Sequence, residues 1–144
     1  SRFIMKKFIV LLMVVGFVAG VANASTSYSY DKYGNQTGSY NVSGNGVTTY
    51  DKYGNKTGSF TNSNGNITGY DKYGNKTGSV TTTSGGGTLY DKYGNQTGSF
   101  RTDSSGKIYA YDKYGNQTGS MVKNSNGTVT QYDKYGNIVG TFKL

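Results

Sequence analysis

Six tyrosines recur at matched places in this chain: Tyr33, Tyr53, Tyr73, Tyr93, Tyr114 and Tyr135, each followed by Gly and Asn. Regularly spaced aromatic rings that reach solvent can stack on sugar rings or bases. Two residues before each stands a carboxylate: Asp31, Asp51, Asp71, Asp91, Asp112 and Asp133. Together with Asn35 and its equivalents, one such acid per repeat could ligate Ca2+, which takes roughly six to eight oxygens. Asp is also what a tight turn wants at its first position. The Gly-Gly-x-Gly-x-Asp pattern of calcium-binding β-rolls is missing, so no metal is assigned. Lys32 and its equivalents read as solvated tip charges that discourage edge pairing. The tyrosines have two readings. Each could form part of a binding face, or pack on the neighbouring hairpin as core, which the scarcity of aliphatic residues favours.

Other chemistry is excluded by what the 144 residues lack. There is no Cys, His, Pro, Trp or Glu, and the formal net charge is +8. Without Cys there is no disulfide, thiolate zinc site or cysteine nucleophile. Without His there is no Ser-His-Asp triad and no imidazole ligand. Nothing supplies a general base near neutral pH, because Lys is normally protonated. The expectation is a protein that is not an enzyme and carries no cofactor. Function spread over equal repeats suits multivalent binding or assembly.

Residues 1–24 differ from the rest. Lys6 and Lys7 precede an apolar run from Phe8 to Val21, and Ala22-Asn23-Ala24 has the small-x-small form that a signal peptidase reads. Basic, apolar and A-x-A segments in this order predict a secretory signal peptide. Met5 reads as its start and Ser1–Ile4 as an upstream remnant. The apolar run is too short to span a bilayer, so no stable membrane span is expected after cleavage. The mature domain is then 25–144, where 12 basic residues against seven Asp leave +5. A nucleic-acid protein would show a concentrated basic patch; these charges are interspersed, and no nucleic-acid partner is expected. Secretion without cysteine points to a bacterial export route, to the periplasm or the cell surface.

The mature chain is a repeat. A decapeptide of the form YDKYGNQTGS begins at Tyr30, Tyr50, Tyr70, Tyr90 and Tyr111, and a drifted copy, YDKYGNIVGT, at Tyr132. The starts are 20 residues apart three times and 21 apart twice. A fixed period of this size means a repeat architecture. Asp-x-x-Gly-x predicts a type I turn closed by a left-handed glycine, the three-residue hairpin loop with a bulge. A second turn is expected at Asn45-Gly46, Asn64-Gly65, Gly85-Gly86-Gly87, Ser105-Gly106 and Asn126-Gly127. Two turns per unit leave room for two strands of about five residues.

Strict alternation puts Lys56, Gly58 and Phe60 on one face and Thr57, Ser59 and Thr61 on the other. Tyr40, Val80, Phe100, Met121 and Phe142 share the place of Phe60, and Val47, Ile67, Ile108 and Val129 form a second apolar series with Gly87 as the exception. Leu, Ile, Val and Phe number only 14 of the 120 mature residues, so a core built on tyrosine is expected. Gly58 and its equivalents sit inside strands, which suggests a close backbone approach or an aromatic ring across the gap. The fold class is all-β: about six tandem hairpins of roughly 20 residues, as a closed flower or toroid or an open solenoid-like stack.

The phrase Gly87-Thr88-Leu89-Tyr90-Asp91-Lys92-Tyr93-Gly94-Asn95-Gln96-Thr97 resembles the YD repeats of bacterial Rhs-type surface and toxin proteins. Those repeats imply strand-turn-strand units; with so few of them here, the large enclosing shell does not carry over. The pattern is also similar to small bacterial β-flower domains, in which short hairpins repeat around an axis. A weaker likeness is to choline- and glucan-binding wall repeats, whose ligand cage uses Trp. The expected function is a secreted, non-enzymatic module of the bacterial envelope that presents a Tyr-rich face to a glycan or surface protein. The alternative is a self-assembling structural protein, a β-solenoid or amyloid-like fibre, which Gln, Asn, Tyr and the absence of Pro would favour.

Overall fold

Threonine, tyrosine and valine spaced by glycine and serine suit pleated backbone. The structure, a computed structural model, describes residues 25–143, and there the chain is strand and turn throughout. The expected signal peptide lies outside the described residues. The strands are β1 (Ser25–Asp31), β2 (Gln36–Ser43), β3 (Gly46–Asp51), β4 (Lys56–Ser63), β5 (Asn66–Asp71), β6 (Lys76–Thr83), β7 (Gly86–Asp91), β8 (Gln96–Thr102), β9 (Ile108–Asp112), β10 (Gln117–Lys123), β11 (Thr128–Asp133) and β12 (Ile138–Lys143). Each pairs antiparallel with its chain neighbours, and β1 also pairs with β12 through Tyr28 to Asp31. The sheet is therefore a closed barrel rather than an open stack, and no strand has an unpaired edge.

Closure depends on a feature that strict alternation hides. Thr49 lies opposite Gly58, but Tyr50 lies opposite Lys56, so Thr57 is an extra residue in the ladder. The same skip falls at Thr37, Thr77, Thr97, Thr118 and Val139. Six β-bulges, one on every even-numbered strand, bend and twist the sheet toward closure. They also correct the expected facing of Lys56. It lies across from the outward Tyr50 and is exposed, whereas Gly58 and Phe60 face inward. Thr57 stays exposed, yet its hydroxyl is 2.7 Å from that of the buried Thr49; Thr37 and the buried Ser29 make the equivalent contact at 2.8 Å.

The two apolar series do form the core. Tyr40, Val80, Phe100, Met121 and Phe142 are buried, as are Val42, Val47, Ile67 and Val129, with Phe60, Leu89 and Ile108 packed against them. The expectation of a tyrosine core is overturned: Tyr40, edge-on to Phe142 at 6.3 Å, is the one tyrosine among the buried core residues. The interior is filled instead by about one large side chain per strand set against glycine, serine and threonine. Ser27, Ser29, Thr49 and Gln131 are buried there, and among the described residues no buried side-chain polar atom lacks a partner. An unsatisfied group at those places would cost roughly 1–3 kcal/mol. Gly87 interrupts the second apolar series because the Phe100 ring occupies its place: a Cβ there would lie 2.6 Å from the ring.

Connections away from the Asp-x-x-Gly-x loops differ from expectation in detail. Asn64 (φ 53°) and Gly65 (φ 85°) form the expected two-residue turn. The first turn uses Gly44-Asn45 rather than Asn45-Gly46, and the third uses Ser84-Gly85, with Gly86 and Gly87 already paired in β7. The last two are longer. Asp103 and Lys107 close a loop in which the Gly106 N–H donates to the Asp103 carbonyl, and Asn124, Gly127 and Thr128 repeat it. One added residue turns a two-residue turn into this three-residue loop with a bulge, which accounts for the two spacings of 21.

Candidate functional site

In an up-and-down barrel the loops alternate between two ends. All six Asp-Lys-Tyr-Gly-Asn loops follow odd-numbered strands, so all six lie on one rim. Each is held by the same hydrogen bonds. The Gly34 N–H donates to the Asp31 carbonyl at 3.1 Å, the Asp31 N–H to the Asn35 carbonyl at 2.9 Å, and Gly34 takes φ +85°. Asp31 Oδ1 accepts the N–H groups of Tyr33 and Asn35, both at 2.9 Å, and Oδ2 accepts the Asn35 side-chain amide at 3.3 Å. At Asp51 the three distances are the same.

Both carboxylate oxygens are thus committed to the turn. The donors, led by the backbone N–H of the following asparagine, lower the pKa of each of the six aspartates below the ordinary carboxylate value. No group of three or more acidic side chains that could hold a metal occurs among the described residues. A lowered folded-state pKa contributes stability that is complete above the unfolded value and is lost as pH falls through the folded one. The melting temperature is therefore expected to be level from pH 8 to about 5 and to drop below about pH 4. A calorimetric series across that range checks this; a melting temperature that rises on acidification would overturn it.

The tip tyrosines do not pack as core. Tyr33, Tyr53, Tyr73, Tyr93, Tyr114 and Tyr135 are 77–78% exposed. The fixed turn holds each ring outward because its N–H is tied to the Asp. The preceding lysine lies over the ring: Lys32 Nζ is 5.2 Å from the Tyr33 centroid, and the other five pairs measure 5.1–5.2 Å. Each tip therefore offers solvent an aromatic ring and an ammonium, while the aspartate charge is turned into the loop.

Below the rim on the outer wall stand Tyr30, Tyr50, Tyr70, Tyr90, Tyr111 and Tyr132, half-buried. Tyr50 faces Ser39 and Tyr70 faces Ser59 across the ladder. These rings extend the aromatic surface down from the crown. A groove of about 660 Å³ lies between two adjacent tips, lined by Asp71, Asn75, Lys76, Asp91, Lys92 and Tyr93.

A second cluster breaks the repeat on the outer wall. Arg101 on β8 lies directly across from Tyr109 on β9. Its Nε and Nη2 donate to the Tyr111 hydroxyl oxygen at 3.3 and 3.0 Å, a contact that raises the Arg101 pKa above its usual value. The guanidinium lies 4.8 Å from the Tyr109 centroid and Lys107 Nζ 4.9 Å from it. The repeat draws attention away from these residues. The signal for them was the change at both members of one cross-strand pair.

No known family model matches the chain, and comparison with curated proteins finds no significant match. Residue geometry therefore carries the functional argument.

Proposed function

We propose that this chain is a non-enzymatic binding module of the bacterial envelope, secreted to the periplasm or cell surface, in which the hairpins form a small flower-like ring and the rim of six tyrosines engages an envelope glycan or surface protein. The observation that carries this reading is the uniform exposure of those six rings at one end of the barrel. A rigid ring of equal, weak sites gains affinity by avidity when the ligand is itself repetitive, as a polysaccharide is. The likeness to YD and β-flower repeats agrees with it, and so does the lack of any His, Glu or Cys to run a reaction.

The test replaces all six tip tyrosines by serine. Binding to isolated envelope polysaccharide or envelope fragments is expected to fall at least about tenfold, because each lost stacking contact multiplies through the avidity term. The far-UV circular dichroism and the melting temperature should hold, since the rings contribute little to the core. Undiminished binding would remove the tips from the site. Fibre assembly, the alternative, needs a free strand edge; in the closed barrel it would require the β1–β12 seam to open.

A further inference from the structure

We infer that the outer wall at β8 and β9 carries a second ligand site, one per chain, that takes a carboxylate group through Arg101, with a uronic-acid unit of a glycan as its ligand. It rests in part on the glycan reading above, but uses none of the tip residues.

The cross-strand pairs at this height of the outer face are Asn41 with Thr48, Thr61 with Thr68, Thr81 with Thr88, Val122 with Thr130 and, at the β1–β12 seam, Tyr28 with Lys143. In the remaining hairpin the pair is Arg101 with Tyr109. Both members differ from the pairs of the other hairpins; at the seam Lys143 opposite Tyr28 supplies a point charge without a planar fork, and Arg101 is the one arginine among residues 25–143. Tyr111 is a repeat tyrosine, placed two residues along on the same face, where a diagonal contact reaches Arg101.

The geometry presets the guanidinium. Its Nε–Nη2 side is anchored on the Tyr111 oxygen, and its central carbon lies 4.8 Å from the Tyr109 ring centroid. The opposite edge, formed by Nη1 and the second Nη2 hydrogen, has no acceptor among the described residues. That edge is a fork whose two parallel N–H groups match a carboxylate. Lys107 places a second positive charge against the same ring. Asp103, close in the chain, forms no hydrogen bond with Arg101: its Oδ1 accepts from the Ser105 N–H and hydroxyl and from the Lys107 N–H, and its charge reaches the guanidinium only through space. An arginine already immobilised by two rings loses less side-chain entropy on binding. The planar fork favours carboxylate over a spherical anion, and the adjoining rings favour a carboxylate carried on a sugar over a bare one.

The experiment is a titration of the purified chain with oligogalacturonate, followed by chemical shifts of the Tyr109 and Tyr111 rings. Neutral oligogalactose, an acidic peptide and inorganic phosphate serve as comparison probes. Saturable shifts with oligogalacturonate alone are the expected result. Arg101→Lys keeps the charge and removes the fork, so affinity should fall at least about tenfold. Tyr111→Phe removes the anchor and should weaken binding by a smaller factor. The six-tyrosine tip variant should bind through this site unchanged, which separates the failure of one proposal from failure of the other. Equal binding by Arg101→Lys, equal shifts with phosphate or neutral oligogalactose, or preference for the acidic peptide would each overturn the assignment. Arg101 and the tip tyrosines are exposed and Tyr111 is half-buried, and an unchanged melting curve verifies the fold of each variant.

Discussion

Gly58→Ala is expected to destabilise the barrel by about 1–3 kcal/mol, the usual cost of forcing an added methyl into filled space. A Cβ at this position would lie 2.5 Å from the Tyr70 carbonyl oxygen on the next strand. That neighbour is backbone and is held in the ladder, so it cannot swing aside as a side-chain tip would. The same approach, at 2.6–2.7 Å, occurs at Gly38, Gly78, Gly98, Gly119 and Gly140. Each of these glycines directly follows the extra residue of a bulge. The bulge turns its Cα toward the neighbouring strand, and only hydrogen fits there.

Two other glycines separate this mechanism from glycine effects in general. Gly54 has open space around it but φ +85°, so alanine there should cost roughly 1 kcal/mol through backbone strain alone. Gly85 has neither a close neighbour nor a positive φ, and its alanine variant should remain within about 0.5 kcal/mol of the parent. The expected order of melting temperatures is Gly85→Ala highest, then Gly54→Ala, then Gly58→Ala. If Gly58→Ala melts with the parent, the close approach does not constrain the fold.

Much of the local structure was legible in the chain, and the reasons are local. Asp31, Gly34 and Asn35 dictate their turn within five residues, since the acceptor, the left-handed residue and the closing amide all lie there. Phe60 and Val47, with their equivalents, marked the buried face because large apolar groups are so rare in this sequence. Three features were not legible. The bulges at Thr57 and its equivalents leave only a strand glycine as their trace, and a period of two carries no sign of a skipped residue. Tyrosine has an apolar ring and a polar tip, so Tyr33 suits a core or a rim equally until the barrel decides. Closure itself depends on strand count, twist and bend acting together, and no single segment encodes it. The Arg101 site was hidden for a different reason: its parts are dispersed as Arg101, Lys107, Tyr109 and Tyr111 and meet only when β8 and β9 pair.

Removing β1, residues 25–31, is expected to have the largest effect of all. It closes the sheet by pairing with β2 along Ser25 to Tyr30 and with β12 along Tyr28 to Asp31. Without it, both of those neighbours present a row of unpaired N–H and C=O groups, the template on which chains associate. The buried Tyr40 and Phe142, which meet across this seam, would lose their cover, and Thr37 would lose the Ser29 hydroxyl. The shortened chain should lose its cooperative melt, and sedimentation should show β-rich species growing with concentration, while the intact chain stays monomeric. A shortened chain that remains a sharply melting monomer would mean that the hairpins are stable without closure. The experiment also bears on the two functions expected of this sequence. If only the opened chain associates, closure is what keeps a Tyr-, Asn- and Gly-rich repeat from fibre formation, and the exposed rim is left as the surface available for binding.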